Sequence, residues 1–482
     1  MRTASHRFLK KYSTDFLLTA ACIFIFTLII FLSANIPFFW TMGYVGSLAN
    51  KIYDSNFSQF IFDIDNGMPP LYGTYIALLW TVFGKSLLVM HLAVLPFLFG
   101  IVFQFKKIAK ALYPEISLLF LFLLLLFEPT FLTVCLMGGY DLAIIFFFLY
   151  SLNAIYFKKK NIFFILSLLV LPMLNLRGFT IVFGIFFYDI YSEWKKFNRK
   201  NFFGQLIKFF FPYLIPAFIF CCWLLYHNSI QDWYIVHSDF DSFQKLNTAE
   251  MFLRNFAFIF WKIFDFGRIF IWIPIIILAL KLLFRKKLFN KEYHAFIFLG
   301  FSLLYYFVFY WATSYPVSHR YLLISIIVAI IPFLMIVDKI PNKLFRYIVI
   351  IITCIILFFG NFIMYPERFG NGWDASIKFI PYFKIEKELD SYVSSKGINS
   401  KLVGSEYPMH FSRYDTYLTN DNFKFSDIDK KDFEKWDYIV QSNISNTFTP
   451  EEVMHLEKDW ILMKEFKSWP VYIRLYKNPN TN

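Results

Sequence analysis

Asp63 and Asp65, in FDIDNGMPPLYG, stand in a polar break between long apolar runs. Asp141 follows Gly138-Gly139-Tyr140 and opens another apolar run. Arg177 (in NLRGF), Arg268 and the pair His319-Arg320 occupy similar places at the edges of apolar segments. His227, Asp232, His237, Asp239 and Asp241 crowd one further polar stretch. Carboxylates so placed can act as a general base on an acceptor hydroxyl or amine. Cationic groups can hold a phosphate, and Arg is suited to doing so through two parallel hydrogen bonds. A lipid-linked phosphate would bring its anionic head to the depth at which these groups lie. Ionisable groups near membrane depth are costly and tend to be functional.

Other motifs carry less. Asp-x-Asp recurs at 63–65, 239–241 and 427–429 without a Gly-rich nucleotide-binding context. Gly84-Lys85-Ser86 is not a phosphate loop, because Leu79 occupies the place of the required upstream glycine. His91 lies inside an apolar run and reads as a packed histidine, while His227 and His237 are too loosely spaced for a metal signature. Asn443-Ile444-Ser445 matches a glycosylation acceptor pattern of a kind that chance supplies often. Cys22, Cys135, Cys221, Cys222 and Cys354 lie in or beside apolar runs and fit neither a zinc site nor a disulfide framework. No metal-ligand signature appears, which leaves a divalent cation open and unassigned.

The elements that must position these groups follow from composition. Hydrophobic residues make up 58% of the 482 positions and charged residues 17%, a balance suited to a chain that uses lipid as its solvent. A crossing helix needs roughly 17–25 apolar residues. Candidate spans run near 16–34, 86–105, 116–136, 141–157, 161–176, 179–192, 207–226, 268–284, 294–312, 320–337 and 346–364. The net charge of +13 sits in short loops between these runs: Arg2 to Lys11, Lys106 to Lys110, Lys158 to Lys160, Lys195 to Lys200, Arg285 to Lys291 and Lys339 to Arg346. The positive-inside rule puts all of these clusters on the cytoplasmic side if about eleven spans are counted and 68–84 does not cross fully. The same clustering excludes a nucleic-acid partner, since no basic face with interleaved aromatics occurs elsewhere.

With the N-terminus inside, the outward loops are 35–85, 137–140, the turn at Arg177, 227–267, 313–319 and everything after about 365. Asp63, Asp65, Asp141, Arg177, His319 and Arg320 then share one extracytoplasmic layer. Beyond Tyr365 polar residues become frequent. Short β-like runs at 401–407, 436–441 and 471–476 alternate with helical patterns at 383–396 and 450–459. The second helix opens with Thr449-Pro450-Glu451-Glu452, a strong start signal. The expected fold is a polytopic α-helical membrane domain, 1–365, followed by a small extracytoplasmic α/β domain, 366–482.

The order of these segments resembles the GT-C membrane glycosyltransferases, in the bacterial branch that includes aminoarabinose and protein mannosyl transferases. A first span and a long outer loop lead to Met68-Pro69-Pro70-Leu71-Tyr72, similar to the family's His-Pro-Pro-Leu-Tyr element. Ala77-Leu78-Leu79-Trp80 and Phe83-Gly84-Lys85-Ser86 follow it. Gly139-Tyr140-Asp141 and Arg320-Tyr321-Leu322-Leu323 match two later elements. The chain departs from the pattern at Thr41-Met42, where the family commonly has Asp, and at Met68, where His is frequent.

The resemblance implies transfer of a sugar from a polyprenyl-phosphate-linked donor to a glycan, lipid or protein acceptor on the outer face of a bacterial inner membrane. Asp63 or Asp65 would be the base, with Asp54 as an alternative, and Asp141 would orient the acceptor. Arg177, His319 and Arg320 would bind the departing lipid phosphate. Two other readings remain open: a catalytically degenerate relative that binds lipid phosphate or a partner, and a transporter or flippase. The last lacks the paired, broken spans in two matching halves that mark alternating access.

Overall fold

The computed structural model describes residues 2–62, 69–194, 202–234, 248–287, 290, 293–309, 318–366, 370–428, 430–445 and 448–481. Within the described residues, each of the eleven apolar runs is largely helical. After α1 (Arg2–Leu32), the segment expected to form the first outer loop folds into α2 (Thr41–Asp54) and α3 (Leu71–Phe83). The second run divides into α4 (Leu87–Leu92) and α5 (Leu95–Leu112). Then come α6 (Leu118–Phe127), α7 (Pro129–Met137), α8 (Asp141–Tyr156), α9 (Ile162–Leu174), α10 (Leu176–Glu193) and α11 (Phe202–Gln231). The helical part closes with α12 (Ala249–Phe264), α13 (Ile269–Phe284), α14 (His294–Phe309), α15 (Leu323–Val337) and α16 (Lys343–Gly360).

The chain is an integral membrane protein. Among the described residues five helices are long and apolar enough to cross a bilayer, or up to seven if each of two bent pairs counts as one span. One bent pair corrects the expectation of a straight span at 116–136: α6 and α7 meet at 67°. The cause is local. Pro129 cannot continue the hydrogen-bond ladder of α6, and the Glu128 carboxylate caps α7 by accepting the Phe131 N–H at 2.6 Å. The other pair, α12 and α13, bends by 111°, so that part of the expected outer loop 227–267 is a helix.

The segment His319–Val337 is 94% buried, whereas the other four long helices bury 22–39% of theirs. A helix apolar all round belongs at the centre of a bundle, and α15 takes that place. Its N-terminal turn, His319–Leu322, is therefore held among neighbours on every side.

After α16 the chain forms α17 (Tyr382–Ser395), α18 (Arg413–Thr416), α19 (Pro450–Asp459) and a sheet ordered β2-β1-β3-β5-β4. β1 (Val403–Ser405) runs parallel to β2 (Ser426–Asp427) and β3 (Tyr438–Ser442), while β5 (Val471–Lys477) lies antiparallel to β3 and β4 (Ile461–Ser468). The expected strands and both helices are present, and α19 carries the full capping box of Thr449 and Glu452. β4 was not legible because it is an edge strand with most of its residues exposed, so its apolar alternation is weak. The sheet region and the helices share one continuous core. Phe39 stacks on Phe379 at 4.6 Å, and the Phe38 N–H donates to the Thr416 carbonyl at 2.9 Å.

Candidate active site

Gly138 ends α7 in the left-handed conformation, at φ 65°. A Cβ there would sit 2.6 Å from Met90 Sδ, so glycine is required for both conformation and space. This turn delivers Tyr140 and Asp141, both buried, to the start of α8. α10 begins after Asn175, whose side-chain oxygen accepts the Arg177 backbone N–H at 3.0 Å and the Arg177 Nε–H at 3.2 Å. One residue thus caps the helix and aims the guanidinium. Arg177 Nη2 then donates to Asp141 Oδ1 at 2.9 Å and to the Tyr140 hydroxyl at 3.1 Å, above the Tyr321 ring.

Arg320 enters from the turn before α15. Its Nη1 lies 3.5 Å from Asp141 Oδ2 and its Nε lies 2.8 Å from Asp374 Oδ2. Asp374 also accepts the Ser318 hydroxyl at 2.9 Å. The Nε–H does not point at the Asp374 carboxylate. Both Nε and Nη2 of Arg320 are buried without a hydrogen-bond acceptor among the described residues. The two carboxylates compensate the guanidinium charge, and an anion reaching Nη2 would add an acceptor there.

His319 faces a second carboxylate. Its Nε2 is 2.6 Å from Asp265 Oδ2, and its ring stacks on Phe266 at 4.3 Å. Asp265 also accepts the Phe266 N–H and the Tyr365 hydroxyl. Gly372, at φ 64°, lets the backbone pass this ring, since a Cβ would come within 2.9 Å of two imidazole atoms. Behind lies a fully buried pair in which Arg268 Nε and Nη2 donate to Glu128 Oε1 at 2.8 and 2.6 Å. Arg268 Nη2 also reaches Thr130. Two buried lysines border the group: Lys262, with its Nζ 3.5 Å from the Gly370 carbonyl, and Lys378, which donates to the Ile363 carbonyl at 2.6 Å. Lys378 also approaches Phe266, and burial pulls its ammonium down to about 8.

Between α8, α10 and α15 the Asp141–Arg177–Arg320 group borders a small cavity of about 10 Å³, room for no more than a single water, with Ile144, Ile181 and Ile324 as its apolar lining.

Of the six residues named from sequence, Asp141, Arg177 and Arg320 therefore come together, while His319 faces Asp265 in a neighbouring group. Asp63 and Asp65 lie outside the described residues, as do Met68, His237, Asp239 and Asp241. The chain that leads into that segment ends at Phe62, whose carbonyl accepts Gln231 Nε2 at 3.0 Å. Where it resumes, the Tyr72 hydroxyl donates to the Gly138 carbonyl at 3.0 Å, beside the turn that carries Asp141. Asp54 joins a separate group, accepting the Tyr414 hydroxyl at 2.7 Å with Lys85 nearby at 3.7 Å. His91 is packed as expected, with Nε2 2.8 Å from the Ile36 carbonyl. Asn443 is buried, its amide donating to the Pro470 carbonyl, which makes it a structural residue.

Sequence reasoning missed Glu128, Lys262, Asp265, Asp374 and Lys378. Glu128 had a signal, because a carboxylate interrupting an apolar run is expensive. The others sit in polar stretches where nothing sets them apart.

No family model and no curated protein matches the sequence. Two solved structures match across nearly the whole chain. ArnT from Cupriavidus metallidurans in the apo state aligns at a TM-score of 0.51 and 11% identity, covering 96% of this chain and 98% of that one. ArnT from the same organism bound to undecaprenyl phosphate aligns at 0.54 and 10% identity, covering 95% and 97%. The chain thus has the fold of ArnT, and the resemblance drawn from the order of its motifs holds at the level of the fold.

Proposed function

We propose that the protein transfers a sugar from a polyprenyl-phosphate-linked donor to an acceptor on the outer face of the membrane. The observation that carries this reading is the buried group of Asp141, Arg177 and Arg320 beside the apolar residues Ile144, Ile181 and Ile324, with Arg320 Nη2 lacking a hydrogen-bond acceptor among the described residues. The fold shared with a protein crystallised with undecaprenyl phosphate supports it. On this reading the membrane part crosses about eleven times, with its N-terminus inside the inner membrane, and 366–482 forms an extracytoplasmic domain.

The acceptor oxygen or nitrogen attacks the anomeric carbon as the bond from that carbon to the phosphate oxygen breaks. The electron pair leaves with the polyprenyl phosphate, and the acceptor proton passes to Asp63 or Asp65. Asp141, held by Arg177 and Arg320, orients the acceptor. Negative charge grows on the departing phosphate, where Arg320, with Arg177 and His319, stabilises it more in the transition state than before it. The prenyl tail lies between the spans, so only the head group needs polar surroundings.

One observation favours a second reading, binding without turnover. Thr41-Met42 stands where the resemblance calls for an acid, and Met42 is completely buried. Purified protein in lipid, given a panel of radiolabelled polyprenyl-phosphate sugars and cell-envelope acceptors, separates the two. Release of polyprenyl phosphate supports transfer. Tight binding with no release across the panel supports the binder, and absence of both overturns the phosphate assignment.

A further inference from the structure

The hairpin that joins β4 to β5 turns at Trp469-Pro470. Trp469 is 65% exposed, although a hairpin tip in water ordinarily carries Gly, Asn or Asp. Its ring stacks on Phe362, with centroids 6.3 Å apart and planes inclined by 21°. Phe362 in turn meets Phe358 edge-on at 5.8 Å. Phe358 belongs to α16, a helix long and apolar enough to cross a bilayer. That helix leaves Ile351, Ile352, Ile355, Phe358 and Phe359 exposed, and an apolar span with such side chains outside faces lipid. The hairpin is held in this place from behind. The Pro470 carbonyl accepts the Asn443 amide at 2.9 Å, and the Asn443 carbonyl accepts the buried Trp373 indole N–H at 2.9 Å.

A second element reaches the same stretch of chain. α12 turns by 111° from the apolar helix α13 and leaves Leu253, Phe256 and Phe258 exposed. Its Trp261 meets Tyr365 edge-on at 5.2 Å, just beyond Phe362. A helix that folds back from the end of a span with apolar side chains outward suits the plane of the membrane surface. Lone exposed apolar side chains are ordinary on any protein. These are not alone, because they continue the lipid-facing side of α16 past its end. Trp and Tyr, apolar in body and polar at one edge, collect at the membrane–water boundary for that reason.

We infer that the tip of the β4–β5 hairpin is a membrane-contact surface: Trp469, backed by Phe362, enters the lipid head-group layer around the end of α16 and fixes the C-terminal region against the bilayer. The partner is the bilayer itself, since the patch is continuous with a side of α16 that lipid already covers. The inference goes beyond the transferase reading and does not depend on it.

The test uses the full chain with Cys221→Ala and Cys222→Ala, which removes the two exposed thiols. One cysteine is then introduced by Trp469→Cys, Ser468→Cys, Phe359→Cys or Asp421→Cys, spin-labelled, and studied in nanodiscs of phosphatidylcholine and phosphatidylglycerol. Collisions with oxygen, which concentrates in lipid, are compared with collisions with a water-soluble nickel chelate. Phe359 and Asp421, both exposed, supply the lipid and water references. Labels at 468 and 469 are expected to favour oxygen severalfold more than the label at 421. The label at 468 keeps Trp469 in place and so guards against loss of the contact through the substitution itself. Ratios at 468 and 469 equal to that at 421 overturn the inference in favour of a hairpin in water. Labels that neither reagent reaches overturn it in favour of cover by protein.

Discussion

Arg320 Nε lies 2.8 Å from Asp374 Oδ2, and through this contact the head of the central helix is joined to the C-terminal region. Both side chains are buried. Asp374→Asn keeps the shape and removes the charge. Breaking a buried pair typically costs about 3–5 kcal/mol, so the unfolding midpoint should drop. Phosphate affinity should move the other way and rise severalfold, because a carboxylate beside the anion's cation has been removed. Thermal unfolding and lipid-phosphate titration of the one variant check both signs. A parallel fall would mean that Arg320 does not face the phosphate.

Asp63→Asn and Asp65→Asn separate the candidate bases. Loss of a general base lowers turnover by about 10²–10⁴-fold while leaving donor binding intact. One of the two variants is expected to show that pattern in radiolabel release, and the double variant should be no slower than the worse single. Full retention of transfer by Asp63→Asn/Asp65→Asn would falsify the assignment.

The Glu128–Arg268 pair is a structural prediction. Arg268→Met leaves a buried carboxylate unpaired and should destabilise by about 3–5 kcal/mol. Arg268→Lys should recover only part of this, since one ammonium cannot reproduce the guanidinium fork onto Glu128 and Thr130. Midpoints in detergent for the two variants give the ordering.

Lys378 sets a pH dependence. Its pKa is lowered to about 8, so the ammonium is charged below that value and neutral above it, whereas the unfolded chain keeps the proton to the ordinary value of 10.5. Between these limits the unfolded state binds more protons, and this residue's contribution to stability rises with pH. Phosphate affinity should run oppositely and fall as pH passes through about 8. Titrations at pH 7 and 9 should show that fall in the unaltered protein and a flatter response in Lys378→Met.

Gly372→Ala tests the close approach to His319. The added methyl would strain a positive-φ backbone and press on the imidazole at 2.9 Å. A loss of about 1–3 kcal/mol is expected, together with weaker phosphate binding as His319 and Arg320 shift.

Much of this protein is written locally. Each apolar run became helix because a hydrocarbon environment leaves the backbone few ways to satisfy its hydrogen bonds. The starts of α10 and α19 were encoded by Asn175 and Thr449, which accept bonds from residues two and three positions on. Asp141, Arg177, His319 and Arg320 were visible because charge at the edge of an apolar run is expensive and therefore informative. Sequence alone thus determined the fold class, the helices and three members of one buried charged group, Asp141, Arg177 and Arg320.

Tertiary structure decided which charges meet. Glu128 and Arg268 are 140 residues apart, and Asp265 and His319 are 54 apart. No local pattern records such pairings, because they depend on which helix heads the bundle brings to one level. Asp374 and Tyr407 looked like ordinary residues of a polar tail. They acquire their places only when that tail packs onto the segment after α1, through Phe38, Phe39 and Trp40, with Asp374 against Arg320. Burial gives such contacts their meaning: a carboxylate beside a guanidinium matters little in water and far more in a dry site.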